Sequence, residues 1–160
     1  MSIEELLTIR VAGEAIPQGS KRAWIHPKTG RATMAEAGGV RHASWRREVT
    51  AAAEEALRGA GISEPMTEPV TVSLTFYRLR GAGHYGTGKN AKALKPDAPE
   101  YPTKPPDADK LTRSVFDSLT DARVWVDDAQ VVSYTARKRF VDRFGDTPDG
   151  VLIVVGRYVA

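Results

Sequence analysis

The 160 residues suffice for one domain with a single core, and 41% hydrophobic and 27% charged residues is an ordinary globular composition. The absence of cysteine excludes disulfides, zinc–thiolate sites and thiol catalysis together, and it fits a reducing cytoplasm. No apolar run nears the roughly 18 residues of a membrane span, and the acidic start Met1-Ser2-Ile3-Glu4-Glu5 is unlike a signal peptide, so the chain reads as cytoplasmic; its net charge of +3 is compatible with a polyanionic partner.

Leu6–Val11 is apolar enough for a first strand, closed by Gly13 and Pro17. Pro17-Gln18-Gly19-Ser20-Lys21-Arg22 is turn-rich, then basic, and predicts an exposed loop. From about His42 to Ala60, Trp45, Val49, Ala52, Ala53, Ala56 and Leu57 recur at the spacing of an amphipathic helix that Gly61 closes. Val70, Val72, Leu74 and Phe76 alternate with polar residues, which predicts a half-buried strand. Gly81 to Pro106 is irregular, with four glycines, five prolines and four lysines, and a stretch of that length is more often functional or disordered than structural.

Regular patterning then resumes. Leu111, Val115 and Leu119 share one face of a helix over Lys110–Leu119. Arg123–Val126 predicts a short strand, Val131–Phe140 a longer one, and the continuous apolar run Val151–Val155 a central one. No repeat or linker divides the chain. The expectation is a single α/β (α+β) domain over 1–160, with a mixed sheet of about five strands and two main helices.

Asp107 and Asp109 flank Ala108 just before the second helix, and in extended chain residues two apart point to the same side. Asp127 and Asp128 lie beyond that helix, where a following strand could carry Asp128 back toward the helix start. Clustered carboxylates raise one another's pKa, and a divalent cation with hard oxygen ligands, Mg²⁺ foremost, removes that cost. Such a cation can polarise a phosphodiester and lower the pKa of a bound water. Structural roles compete at each position: Asp109 as a helix N-cap, Asp127-Asp128 as turn residues. Arg113, one turn after Asp109, either stabilises charge on a phosphate or pairs with Asp109 or Asp117.

The blocks Pro106-Asp107-Ala108-Asp109-Lys110-Leu111, Asp117-Ser118-Leu119-Thr120 and Trp125-Val126-Asp127-Asp128-Ala129-Gln130-Val131-Val132 occur in this order, and together they resemble the core of the RusA family of Holliday-junction resolvases, in its phage or prophage form. The resemblance implies a Mg²⁺-dependent endonuclease, with Mn²⁺ as a substitute, that cuts four-way DNA junctions symmetrically as a homodimer in recombination and repair. It implies Asp107, Asp109 and Asp128 as metal ligands and catalytic residues, and it puts Arg113 where the family carries a functional lysine. Lys110 stands where the best-known members carry Asn. A flap or other branched-DNA endonuclease, or a junction-binding dimer without catalysis, are the alternatives.

The cationic candidates for DNA are Lys21, Arg22, Lys89, Lys92, Lys95, Lys104, Lys110, Arg137, Lys138 and Arg139, with Arg137 and Arg139 on one strand face and Lys138 on the other. Tyr85 can stack on an unpaired base or anchor its loop. The three histidines lack metal-ligand spacing, and neither a Gly-rich phosphate loop nor a nucleotide-binding fingerprint is present, so no nucleotide cofactor or membrane partner is expected.

Overall fold

In the computed structural model, which describes residues 1–19, 22–35 and 39–160 (side chains at 24–32 in the second range), the alternation of Leu7, Ile9 and Val11 with Thr8 and Arg10 becomes strand β1 (Ser2–Ala12), apolar set buried and polar set exposed. A short antiparallel ribbon follows, β2 (Arg22–Ile25) with β3 (Ala32–Ala35). Helix α1 (Gly39–Gly59) buries Trp45, Val49, Ala53 and Leu57 along one stripe. Strand β4 (Val70–Leu79), helix α2 (Ala108–Asp121), β5 (Val131–Val141) and β6 (Gly150–Val159) complete the chain.

The main sheet runs β1-β6-β4-β5. β6 is antiparallel to both of its neighbours, and β4 and β5 are parallel. Val151, Ile153 and Val155 are buried in β6, as an interior strand requires. Gly150 opens β6 at φ 143°, and a Cβ there would lie 1.9 Å from the Val11 carbonyl oxygen, so only glycine allows the approach of β1. Both helices cover one face of the sheet, where Leu74, Phe76, Val115, Leu119 and Trp125 join the α1 stripe in one core.

α1 and α2 meet through small polar residues. Ser114 and Ser118 are fully buried between them; Ser114 Oγ lies 3.2 Å from His42 Nε2, and Ser118 Oγ donates to the Ser114 carbonyl. Thr50 Oγ1 donates across to the Ser118 carbonyl at 3.3 Å.

The result is a single α+β domain with a mixed sheet and two main helices, as the sequence predicts, but two local expectations are corrected. The strand expected over Arg123–Val126 is a turn with one parallel bridge, Met66 to Trp125. Arg22, expected in the exposed loop, opens a strand, and the β2–β3 ribbon has no counterpart in the apolar pattern. Ser20 and Lys21 lie outside the described residues.

Because β4 and β5 are parallel, the chain must cross from the end of one to the start of the other. That crossover contains the irregular segment, α2 and all four candidate aspartates. The irregular segment forms two single-turn 3₁₀ helices, Ala82–His84 and Gly88–Asn90, and is tied down at several points. Tyr85 is buried; its hydroxyl donates to Asp142 Oδ1 at 2.7 Å and accepts the Arg143 N–H. Phe144 packs edge-on against the Tyr85 ring, and Arg80 Nη1 donates to the Pro99 carbonyl at 2.7 Å. Tyr85 is therefore the loop anchor, and no face of it is left for a base. No described helix is long and apolar enough to cross a membrane.

Candidate active site

In parallel sheets, sites form beyond the carboxyl ends of the strands. Here that end carries Arg78 on β4, Lys138 on β5 and the N-terminus of α2. Asp107 is the extended N-cap of α2 (φ −71°, ψ 144°), and its side chain makes no capping bond. It is exposed, with Lys110 Nζ 3.3 Å from its carboxylate. Asp109 lies in the first turn, where the helix dipole favours negative charge.

Lys138 supports the backbone just before Asp107. Register pairs it with Phe76, on the helix-covered face of the sheet. Its ammonium donates to the carbonyls of Lys104 (3.1 Å) and Pro106 (3.0 Å). Alternation along the strand predicts it on the face opposite Arg137 and Arg139, but not these two partners. The available signal was its alternation with Ala136 and Phe140, since a charge on a covered face needs partners.

α2 ends in a Schellman motif: the Val124 N–H donates to the Leu119 carbonyl, and the Arg123 N–H to the Thr120 carbonyl. Arg123 sits at φ 61°, a position where glycine would be easier by about 1 kcal/mol. The reversal sends Trp125 into the core, its Nε1 donating to Thr120 Oγ1 at 2.7 Å.

A 3₁₀ turn, Asp128–Gln130, follows instead of the expected strand. Asp127 caps it by accepting the Ala129 N–H at 2.7 Å. The Gln130 side chain accepts the N–H groups of Val126 and Asp127, and donates to the Met66 and Glu68 carbonyls. The side chains of Asp127 and Gln130 thus build the turn, and Asp128 accepts the Val131 N–H through its backbone carbonyl.

Partial desolvation and the charge of Asp127 push the Asp128 carboxyl above its ordinary range, with Asp117 adding to the push. Among the described residues, no group of three His, Cys, Asp or Glu side chains could hold a metal ion.

Arg113 stands between the two acidic ends. Asp109, Arg113 and Asp117 follow one another at four-residue spacing on one face. Arg113 is exposed, and no ion pair to Asp109 or Asp117 is formed among the described residues. A cavity of about 560 Å³ beside Asp107 is lined by Lys110, Arg41, Arg78, Glu14 and Pro105 among others, and Arg41 pairs with Glu14 at 2.6 Å.

The remaining cations are dispersed. Lys89 is exposed in the second 3₁₀ turn of the irregular segment, and Lys104 is exposed near its end. Arg137 and Arg139 are exposed on β5, register-paired with Thr75 and Tyr77 and so on the face opposite the helices. The guanidinium of Arg139 lies over the Tyr101 ring at 4.9 Å. Lys21 and the side chain of Arg22 fall outside the described residues.

An acidic crossover with adjacent cations suits phosphodiester chemistry, and the wider sequence decides which kind. Residues 14–153 match the family model Endodeoxyribonuclease RusA. The chain belongs to the RusA family. As a RusA-family protein it is a Mg²⁺-dependent, structure-specific endonuclease that resolves Holliday junctions, and its substrate is branched DNA. No curated protein matches the chain. Within the RusA blocks, Ser118, Leu119, Thr120, Trp125, Asp127 and Gln130 hold the crossover together, whereas Asp107, Asp109, Arg113 and Asp128 are exposed.

Proposed function

We propose that Asp107, Asp109 and Asp128 are the metal carboxylates of this resolvase and that Arg113 is the cation facing the phosphate under attack. The observation that carries this is the division of labour in the Asp127–Gln130 turn. Asp127 is engaged as a cap, while Asp128 is exposed and its carboxyl is raised by partial desolvation and the Asp127 charge, a state that a bound cation reverses.

The donor set fits Mg²⁺, or Mn²⁺ in its place: hard carboxylate oxygens without thiolate. Mg²⁺ commonly uses one or two carboxylates plus phosphates of its substrate, so a phosphate of the junction completes the set. When bound, the ion supplies Lewis-acid polarisation of the phosphodiester and a water of lowered pKa. The chain's own residues orient the substrate: Arg113, midway along the acidic face, holds phosphate oxygens, and Lys110 and Arg78 grip beside Asp107.

Lys21, Arg22, Lys89, Lys104, Lys110, Arg137 and Arg139 neutralise further phosphates. The irregular segment at about 81–106 is a basic insertion in one resolvase domain over 1–160. Two protomers form a homodimer, because a four-way junction is close to two-fold symmetric and needs two matched incisions. The setting is cytoplasmic.

A labelled four-way junction with Mg²⁺ should be cut at symmetric paired positions, and faster than three-way or flap substrates. Equal rates on flaps would make this a general branch endonuclease; tight binding in Mg²⁺ and Ca²⁺ without incision would leave a junction-binding protein.

Lys138 is proposed to hold the backbone that presents Asp107. Lys138→Met keeps the aliphatic stem and removes both donated bonds. It should lower single-turnover cleavage about tenfold, since small misplacements near the chemistry are amplified in the rate. It should also raise the Mg²⁺ concentration for half-maximal rate, and Lys138→Arg should recover part of the loss. An unchanged Mg²⁺ dependence would limit Lys138 to the scaffold.

A further inference from the structure

Between the irregular segment and the ends of β4 and β5 lies a cavity of about 470 Å³ that nothing so far assigns. Its size falls within the roughly 300–1,000 Å³ of small-ligand sites. Phe140 meets the His84 ring edge-on (5.2 Å, 82°), and Tyr101, on another wall, is 47% exposed. Arg78, Thr103 and Lys104 complete the polar lining, and no acidic side chain lines the cavity. Two further guanidinium groups stand over its rings, Arg80 at 4.6 Å from the Phe140 centroid and Arg139 at 4.9 Å from that of Tyr101. His84 keeps a buried Nδ1 with no hydrogen-bond partner among the described residues.

The position is as telling as the lining. Arg78 and Pro105 line this cavity and also the one that contains Asp107 and Lys110, so the two compartments share a wall. Compartments that share a wall in this way can take a phosphate at Asp107 and the next nucleotide of the same strand. Aromatic walls with a cationic rim suit a base and its phosphate together. A free nucleotide would need a phosphate cradle, and the sequence has no Gly-rich loop of that kind.

We propose that this cavity receives one unstacked base of the cut strand, next to the scissile phosphate, with Arg78 and Lys104 on the flanking phosphate. The inference rests on the resolvase reading and names a substrate subsite within it. Bases at the centre of a junction are the easiest to unstack, and stacking on an aromatic wall offsets what unstacking costs. The subsite makes a base beside the cut, and not the phosphate backbone alone, a determinant of where the enzyme incises.

The test is a cycle between protein and substrate. Cut positions are mapped on an intact four-way junction, and the nucleotide on each side of the cut is then replaced by an abasic one. For one of these junctions the wild-type kcat/KM should fall about tenfold. Tyr101→Ala should fall about tenfold on the intact junction, relax the choice of cut position, and lose nothing more on that abasic junction. Tyr101→Phe should behave as wild type. Tyr101 is half exposed, so an unchanged thermal melt of the alanine variant accompanies the expected result. If Tyr101→Ala cuts the intact junction at the wild-type rate and positions, or if the two losses multiply, the base-binding role is overturned while the resolvase reading stands. If the wild type cuts no branched DNA, the resolvase reading fails and this inference falls with it.

Discussion

Asp128→Asn should abolish junction cleavage, a loss of about 10³-fold or more, while junction affinity in Ca²⁺ stays within about twofold. The substitution keeps size and hydrogen-bonding capacity and removes one ligand charge, and in a site that relies on hard anionic donors the charge is what holds the cation. DNA affinity is a sum over many phosphate contacts and does not depend on this carboxylate.

The neighbouring acid supplies the control. Asp127 accepts the Ala129 N–H through Oδ1, and asparagine retains an oxygen for that bond, so Asp127→Asn should cut within about tenfold of wild type. A second readout separates chemistry from folding. Partial desolvation, then the Asp127 charge, raise the Asp128 carboxyl in the folded protein. A carboxyl raised on folding weakens the fold as pH climbs from its unfolded value through its folded one, and the loss is complete above both. At pH 7 without metal, Asp128→Asn should therefore melt no lower than wild type, and slightly higher if anything. Undiminished cleavage by Asp128→Asn would remove it from the metal site; a markedly lower Tm would show that it holds the turn.

Arg113→Ala should slow single-turnover cleavage about 10²–10³-fold, the usual consequence of deleting one preorganised electrostatic stabiliser. The side chain is exposed, one turn from both Asp109 and Asp117, and forms an ion pair with neither among the described residues, which leaves its charge available to a phosphate. An arginine carries its charge at every pH a folded protein survives, so it can stabilise an anion but cannot hand over a proton. Arg113→Lys should accordingly retain cleavage within about tenfold, roughly 1.4 kcal/mol in the barrier, and both variants should still bind the junction. If Arg113 only decorates the helix surface, Arg113→Ala will shift the melt by a fraction of a degree and leave the rate alone, and that result would take it out of the active site.

The periodic elements were legible from the chain because their cause is local. Leu7, Ile9 and Val11 in β1, Trp45, Val49, Ala53 and Leu57 in α1, and Leu111, Val115 and Leu119 in α2 each declare the face they bury, and each is buried, with Ala52 and Ala56 half-buried at the edge of the α1 stripe. The three acidic blocks were legible as well, in order, and with them the family. The sequence also separated Arg137 and Arg139 from Lys138, since alternation along a strand needs nothing beyond the strand.

What lay beyond it depended on contacts between distant residues. The β2–β3 ribbon carries too short an apolar pattern to announce itself. The stretch after α2 has the composition of a strand, yet the Schellman turn at Arg123 and the burial of Trp125 against Phe116 (5.7 Å between ring centroids) leave no room for one. The turn that carries Asp128 was equally beyond the sequence, because it is held by Gln130 bonding to Met66 and Glu68, more than sixty residues away. The partners of Lys138 and the cavity at Tyr101 exist only because the parallel β4–β5 pairing brings residues 78, 101–106 and 138–140 to one end of the sheet. Periodicity tells which face a residue takes; only the crossover decides what it meets there.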